Sequence, residues 1–301
     1  MRIIFLALLW ILVCCSSACN RPVSFYVFSD THCMDSLRRY AILEEMVQEA
    51  NQLAEAPSPD TLWVKPRHPR GLLVCGDLTD AGRPDQWQHF QDIFGLQGEK
   101  KLRMPVYETF GNHDGDTGGV VRMGIRERNR ERKEIWVSPN GLFYSWNWSG
   151  FHFVALGSYP GNGWDSTCGW CHYFKRSFRD PQNSLDFLKE DLRTHAGNKQ
   201  VILYFHYGWD DFSKLWWTEK EQEALYEVIK DHRIAAIFTG HNHETGYRQW
   251  KGIDVYSAGS PQTDHGTGSF LVVTANRKTL AVQERRQGKW GSLRHRKELR
   301  R

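Results

Sequence analysis

The chain has 301 residues, of which 40% are hydrophobic and 25% are charged. This composition is typical of a folded globular protein and excludes a largely disordered one. The formal net charge is only +4, and residues 285–301 alone hold eight Lys or Arg against one acid. A nucleic-acid-binding protein needs a basic groove rather than a basic end, so no stable nucleic-acid partner is expected. Residues 285–301 are predicted to form a solvated, partly disordered basic tail, with contact to an anionic surface as the alternative.

The first residues have the pattern of an export signal. Arg2 precedes an apolar run over residues 3–13, which is too short to span a bilayer, and small residues follow at 16–18. Residues 1–18 are therefore predicted to be a signal peptide, and the protein to be exported: periplasmic, secreted or anchored on the outer face of a membrane. Cleavage after Ala18 would release a soluble protein. Residues 16–19 also resemble a bacterial lipoprotein box, and a lipidated Cys19 would then associate with the membrane.

Strands and helices alternate from residue 22 onward. Short runs rich in β-branched and aromatic residues predict strands, and apolar residues at helical spacing predict helices. The first half is predicted to contain strand 23–28, helix 35–55, strand 71–75, helix 84–94, strand 105–110, a charged helix within 118–134, and a hairpin of strands 142–148 and 151–156.

A long ordered loop is predicted over residues 159–181, where periodicity is weak and aromatic residues are frequent. Export permits disulfides, and Cys168 and Cys171 in this loop are interpreted as a local structural disulfide. The two residues also have the spacing of a redox or zinc pair. No second cysteine pair accompanies them, which disfavours a four-thiolate zinc site.

The second half alternates again and then becomes rich in strands. A capping box of Thr218 and Glu221 opens one of its helices. The predicted elements are helix 184–195, strand 200–205, helix 218–232, strand 234–238, and antiparallel strands 247–250, 253–257, 270–274 and 280–283. No repeat or linker divides the chain, so residues 22–284 are predicted to form a single α/β domain.

Side chains suited to metal binding follow five of the predicted strands. Open α/β sheets bind ligands at the carboxyl ends of their strands, and residues two apart on a strand point the same way. A single histidine after a strand is usually a hydrogen-bonded loop residue, but that explanation would have to apply separately at five strand ends. The candidates are Asp30 and His32, then Asp77, then Asn112, His113 and Asp114, then His206, and finally His241 and His243. Together they predict a site for ions such as Zn, Mn or Fe.

These motifs resemble, in number and order, those of the calcineurin-like metallophosphoesterases. The resemblance rests on Asp30-x-His32, Gly76-Asp77, Gly111-Asn112-His113-Asp114, His206 and Gly240-His241-x-His243, and it extends to the hairpin between the third and fourth motifs. One departure is Gly157-Ser158, where many members have an Asp-containing sequence. This position lies outside the ligand motifs.

The resemblance implies a four-layer α/β/β/α sandwich with two divalent or trivalent metal ions of Mn, Fe or Zn. A hydroxide held by the ions would attack the phosphorus of a phosphomonoester or phosphodiester. His113 would protonate the leaving oxygen or stabilise the equatorial charge, and Asp114 would orient His113. By motif position, Asp30, His32, Asp77 and His243 would hold one ion, and Asp77, Asn112, His206 and His241 the other, with Asp77 bridging.

Substrate choice must come from the side chains around the metals. Trp164 and Trp209 are predicted to offer an apolar wall to the substrate, and Arg122 to pair with an anionic group. The alternative is that the tryptophans pack their loops onto the domain and that Arg122 is an ordinary surface residue. Three functions remain open: general phosphoester hydrolysis, a nucleotide or nucleic-acid phosphodiesterase, and a non-catalytic binding protein on the same fold.

Overall fold

The computed structural model describes residues 22–34, 37–55, 68–167, 180–261 and 268–300. The predicted signal peptide 1–18, Cys19 and the cysteine pair Cys168 and Cys171 lie outside the described residues. Within the described ranges, no helix is both long and apolar enough to cross a membrane.

The described residues form thirteen strands and five α-helices. The strands are β1 Val23–Phe28, β2 Leu72–Cys75, β3 Val106–Thr109, β4 Trp136–Val137, β5 Tyr144–Trp148, β6 Phe151–Ala155, β7 Gln200–Tyr204, β8 Ile234–Thr239, β9 Gly246–Trp250, β10 Ile253–Ser257, β11 Ser269–Ala275, β12 Thr279–Arg286 and β13 Lys289–Glu298. The helices are α1 Leu37–Glu55, α2 Pro84–Ile93, α3 Val120–Glu131, α4 Ser184–Asp191 and α5 Glu219–Ile229.

The strands form two sheets. One has the order β13-β12-β11-β1-β2-β3, and the other has the order β4-β5-β6-β7-β8-β10-β9. In the first sheet β1, β2 and β3 are parallel, and in the second β6, β7, β8 and β10 are parallel. The remaining neighbours are antiparallel. Each sheet therefore has a group of parallel strands whose carboxyl ends can carry site residues.

Alternation along the strands divides the apolar side chains into three layers. In β1, Phe25 faces the second sheet, where its ring meets Phe153 and Phe238 edge to face at 5.2 and 5.9 Å. The next residue, Tyr26, faces the opposite way, toward the layer shared with α1, α2 and α3. Leu188 of α4 and other residues of α4 and α5 cover the outer face of the second sheet. This is the α/β/β/α sandwich that the motif resemblance implied.

Most predicted elements are confirmed with small shifts at their ends. The capping box is present, since the Glu221 backbone N–H faces Thr218 Oγ1 at 3.4 Å and the Thr218 N–H donates to Glu221 Oε2 at 2.8 Å. The predicted helix 184–195 is in fact α4 followed by a π-helical turn, Leu192–Ala196. The spacing of apolar residues does not distinguish an α-helix from a π-helical turn, because the two repeats differ by less than one residue per turn.

The prediction of a disordered basic tail is wrong for the described part of residues 285–301. Residues up to Arg286 belong to β12, and β13 pairs with β12 as the edge strand of the first sheet. Arg294 and Arg296 are exposed, Leu293 packs against the layer between the sheets, and Leu299 is buried there. An edge strand with one solvated face can carry dense charge, so charge alone did not distinguish it from a tail.

Loops from the two sheets meet at one end of the sandwich. The loop after β7 reaches the end of β2, where His206 Nδ1 lies 2.9 Å from the Cys75 carbonyl oxygen. The loop after β8 reaches the loop after β1, where the His241 backbone N–H donates to Asp30 Oδ2 at 2.9 Å. The predicted site residues therefore lie between the sheets, at the carboxyl ends of their parallel strands.

Candidate metal centre

Five of the predicted metal ligands have a left-handed backbone. Their φ angles are 52° at Asp30, 38° at His32, 48° at Asp77, 76° at His241 and 60° at His243. Such a conformation costs an L-residue about 1–2 kcal/mol, so it persists only where the surrounding structure holds it. It turns the chain sharply just after each strand. The two ligands of each pair, Asp30 with His32 and His241 with His243, therefore converge because the chain turns beyond the strand end. The sequence had suggested instead that they converge because alternate residues of a strand point the same way.

Two glycines allow the loops to come this close. An added Cβ at Gly111 would overlap the Asp77 carboxylate, and one at Gly240 would overlap the Ser29 side chain. Glycine is therefore required at both positions by close approach.

One cluster of ligand atoms contains Asp30, His32 and His243. His32 Nε2 lies 3.1 Å from His243 Nε2, and Asp30 Oδ1 lies 3.4 Å from His243 Nε2 and 3.9 Å from His32 Nε2. Asp77 Oδ2 completes the group at 3.7 Å from His32 Nε2. The cluster thus takes atoms from both sheets.

A second cluster lies on the other side of Asp77 and contains Asp77, His206 and His241. His206 Nε2 is 3.1 Å from Asp77 Oδ2, 3.1 Å from Asn112 Oδ1 and 3.2 Å from His241 Nδ1. His206 Nδ1 donates to the Cys75 carbonyl, which leaves the lone pair of Nε2 for a metal. Asp77 Oδ2 therefore faces both clusters.

These distances fit metal coordination. Ligand atoms that surround one ion at about 2.1 Å lie roughly 3.0–3.4 Å apart, as most of these do. His206 Nε2 faces the oxygens of Asn112 and Asp77, and all three atoms can ligate one ion. Asp30 Oδ1 is buried and accepts no hydrogen bond from the described residues. Carboxylate, amide and imidazole donors without a thiolate suit Zn, Mn or Fe.

The charges of the site also favour a bound cation. Burial raises the pKa of Asp77, but His206 and His113 outweigh it and hold this pKa well below its usual range. Burial likewise raises the pKa of Asp30, whereas His206 and His243 lower it to about 2. Burial lowers the pKa of His206, yet Asp77 and Asp30 raise it to about 9. The buried carboxylates thus draw positive charge to this point, which metal ions would supply.

Residues 23–245 match the calcineurin-like phosphoesterase family. The chain belongs to this family. Its members depend on a dinuclear metal centre, and the two clusters that share Asp77 are candidates for that centre here.

Two curated proteins are similar to this chain over part of its length. Purple acid phosphatase 22 of Arabidopsis thaliana is 26% identical over 192 residues, which is 60% of this chain and 39% of that protein. A 3',5'-cyclic-nucleotide phosphodiesterase of Nostoc sp. is 25% identical over 200 residues, which is 64% of this chain and 62% of that protein. The chain therefore matches less than two thirds of the length of either relative.

Solved structures share the fold at low sequence identity. A dimetal phosphatase from Danio rerio has a TM-score of 0.57 and 14% identity, and the match covers 89% of this chain and 98% of that one. GAP50 of Plasmodium, an anchor in the inner membrane complex, has a TM-score of 0.59 and 12% identity, with 93% and 90% coverage. At these identities the likeness concerns the fold alone.

His113 is exposed beside the two clusters. Its backbone N–H donates to Asp77 Oδ1 at 2.8 Å, and its Nδ1 lies 2.6 Å from the carbonyl oxygen of Asp80. The Asp77 carboxylate is the main cause that raises the pKa of His113. The sequence interpretation missed Asp80, whose carboxylate is also 3.5 Å from His32 Nδ1. The only signal for it was a second carboxylate three residues after Asp77.

Asp114 has a different role from the one predicted. Its carboxylate accepts from the backbone N–H groups of Leu78, Thr79 and Gly111 at 3.1, 2.9 and 2.8 Å, and from the Thr79 hydroxyl at 2.9 Å. Asp80, rather than Asp114, contacts the His113 ring. Asp114 therefore joins the loop after β2 to the loop after β3 and positions Asp77 and Asn112 through the backbone.

An open cleft of about 410 Å³ lies over the clusters. Its lining residues are Asp77, Asn112, His113, Phe212, Trp216, His241, Asn242 and His243. The Phe212 ring stacks on His241, with centroids 4.7 Å apart and an angle of 15° between the rings, yet 51% of its surface is exposed. The cleft therefore has metal-ligating atoms at its base and an aromatic surface beside them.

The structure does not bring the three predicted substrate contacts to this cleft. Trp209 is 5% exposed and packs against Trp217 and Trp250 at 4.7 and 4.5 Å. Trp164 lines a separate cavity of about 310 Å³. Arg122 is buried, with its guanidinium 4.0 Å from the centre of the Phe110 ring. The aromatic loop after His206 does reach the cleft, but through Phe212 and Trp216.

Proposed function

We propose that the protein is a metallophosphoesterase that hydrolyses small phosphomonoesters or phosphodiesters with two metal ions of Mn, Fe or Zn. The observation that carries this proposal is the position of Asp77 Oδ2, which lies 3.7 Å from His32 Nε2 in one cluster and 3.1 Å from His206 Nε2 in the other. One carboxylate oxygen at the junction of two ligand clusters is the arrangement that a bridged pair of ions requires. Asp30, His32, Asp77 and His243 would hold one ion, and Asp77, Asn112, His206 and His241 the other.

The bound ions would polarise the phosphoryl oxygens and activate the attacking water near neutral pH. The protein's own residues bind the ions, position the ester and move the proton. His113 is the residue suited to proton transfer. Its backbone N–H donates to Asp77 and its Nδ1 to the Asp80 carbonyl, and these two contacts hold the ring at the cleft. Its Nε2 remains to donate a proton to the leaving oxygen of the ester.

The dimensions of the cleft favour a small substrate. Its volume of about 410 Å³ lies within the range of roughly 300–1,000 Å³ that is usual for small-molecule sites. A folded protein or a nucleic-acid duplex would instead contact a larger surface around the opening.

The test compares three variants after metal removal and reloading with Mn, Fe or Zn. We expect Asp77→Ala to lose both ions, because its carboxylate belongs to both clusters. We expect His113→Ala to keep two ions per chain while kcat falls about 10²–10⁴-fold, the usual effect of losing a general acid. His195→Ala, which changes a histidine outside the clusters, is the control and should match the parent protein. Metal content by mass spectrometry and turnover of phosphate esters are measured together.

Two outcomes would contradict the proposal. Metal loss in the His113 variant would show that this side chain is a ligand rather than a proton donor. No hydrolysis of any monoester or diester by the parent protein with two ions bound would exclude the enzyme function.

We further propose that the protein acts after export. The support is the sequence of residues 1–18, with its apolar run and small residues before Cys19. The mass of the mature protein tests this, since an unprocessed N-terminus would refute export. A fatty-acid label that Cys19→Ala abolishes would show anchoring, and an unlabelled N-terminus at Cys19 would show release.

A further inference from the structure

One side of the cleft presents an aromatic surface that no ligand motif explains. We call Phe212 and Trp216 the aromatic wall; the two rings meet edge to face, with centroids 6.2 Å apart. One face of Phe212 covers His241, and half of the side chain remains exposed at the cleft. A half-exposed phenyl ring is unfavourable in water, and a flat apolar group of a ligand would cover it.

The described lining of the cleft contains no Lys or Arg. Its members are Asp, Asn, His, Phe and Trp side chains, so positive charge at this place comes from the bound ions. A phosphomonoester carries about 1.5 to 2 negative charges at pH 7, whereas each phosphodiester group carries roughly one. Two divalent ions against the carboxylates of Asp30 and Asp77 would leave about two positive charges at the base of the cleft, so the charge of the site accommodates both classes of ester. Selectivity must therefore come from the organic group of the substrate.

We propose that the aromatic wall binds the organic group of the substrate, and that this group is flat and apolar. This inference rests on the proposed function and narrows its substrate class. Phe212 and Trp216 act as specificity-determining residues, while the ions and His113 act on phosphorus and the leaving oxygen.

The first test measures binding rather than turnover, with isothermal titration of the metal-loaded protein. Diphenyl phosphate and dimethyl phosphate each carry one charge and have poor leaving groups, so they differ chiefly in aromatic surface. We expect diphenyl phosphate to bind about tenfold more tightly, in line with the effect of stacking one aromatic group.

Variants show whether the wall causes this preference. Phe212→Ala should reduce the tenfold preference to about threefold or less, and Phe212→Tyr should restore it, because stacking depends on the ring. Trp136 offers a matched control: it stacks on His195 at 4.0 Å and 15°, is 37% exposed and does not line the cleft. Trp136→Ala should leave the preference unchanged. Metal content is measured in each variant, because Phe212 also contacts His241.

The outcomes separate this inference from the proposed function. Equal binding of the two diesters, or an unchanged preference in Phe212→Ala with two ions bound, would overturn the role of the wall. Hydrolysis of 4-nitrophenyl phenyl phosphate is followed in parallel. Phe212-dependent binding without any turnover would support the role of the aromatic wall and refute the proposed function. Turnover with binding that does not depend on Phe212 would support the proposed function and refute the role of the wall.

Discussion

Asp114 illustrates how one carboxylate can shape a site without touching the substrate. It accepts four hydrogen bonds from the loops after β2 and β3. We expect Asp114→Ala to lower the free energy of unfolding of the metal-free protein by about 3 kcal/mol, because several buried donors lose a charged acceptor. Metal affinity should fall as well, because the loops that carry Asp77 and Asn112 are no longer joined. Urea unfolding and metal titration measure the two effects.

A neighbouring residue provides the control for this prediction. Asp116 is exposed in the same loop and accepts one hydrogen bond from the Gly118 backbone. Asp116→Ala should change the free energy of unfolding by less than about 0.5 kcal/mol, as is usual for surface positions. If Asp114→Ala unfolded like the parent protein but lost most of its turnover, Asp114 would act on His113 after all.

At the scale of single residues, the sequence predicted which residues form the site better than it predicted where their side chains point. The motif spacing identified the residues that the structure gathers into the two clusters. It did not identify Asp80 as the partner of His113, and it assigned Asp114 wrongly. The reason is physical: these loops contain left-handed residues, so the direction of a side chain depends on the turn and not on alternation.

At the scale of elements, Glu108 links β3 to α3 from inside the domain. Its buried carboxylate is 2.8 Å from Arg128 Nε and also pairs with Arg132, at the end of α3. We expect Glu108→Gln to lower the free energy of unfolding at pH 7 by about 3 kcal/mol, since it leaves two buried guanidinium groups without their counter-charge. Thermal or urea unfolding measures this effect.

The same pair predicts a dependence on pH. Burial raises the pKa of Glu108, but Arg128 and Arg132 outweigh it, and this pKa lies below its ordinary value. The pair therefore stabilises the fold fully above the unfolded pKa of about 4.3, and this stability is lost as the pH falls through the lower folded pKa. The difference between the parent protein and Glu108→Gln should shrink on acidification. A constant difference from pH 7 to pH 3 would contradict this origin.

Because β13 is an edge strand rather than a disordered tail, its removal should destabilise the protein. It pairs along β12, its Lys297 contacts Asp254 at 2.6 Å, and Leu299, just after the strand, is buried. A chain that stops after Gln287 should unfold at a lower temperature and aggregate more readily, because the edge of β12 loses its partner. The double substitution Arg294→Ser and Arg296→Ser alters only exposed side chains of β13 and should keep the stability of the parent protein. Equal melting temperatures for the truncated and full chains would refute the prediction.

Elements with strong apolar patterns were predictable, whereas charged ones were not. The strands β1, β2, β7 and β8 are buried on both faces and read as continuous apolar runs. β13 has one solvated face and dense charge, so its pattern resembled that of a tail. The packing of one sheet on the other was predicted from the motif resemblance alone, since periodicity does not indicate which faces meet.

At the scale of the whole molecule, the candidate metal centre connects the two sheets. Loops of the first sheet supply Asp30, His32, Asp77 and Asn112, and loops of the second supply His206, His241 and His243. Ions that bind only the folded chain stabilise it by about 4 kcal/mol when their concentration is 1,000 times the dissociation constant. We expect chelation to lower the melting temperature and Zn or Mn to restore it. Asp77→Ala should melt at the same temperature with and without metal.

The left-handed turns at five metal ligands have a consequence for how this sequence can change over generations. At about 1–2 kcal/mol each they total roughly 5–10 kcal/mol, which is comparable to the whole net stability of a typical domain. Glycine at such a position would relieve the turn and remove a ligand at once. Metal-free His243→Gly should therefore unfold no more easily than the metal-free parent, although it binds metal less well. A lineage released from selection for catalysis would be expected to lose these histidines and aspartates early, because drift there leads toward a more stable protein.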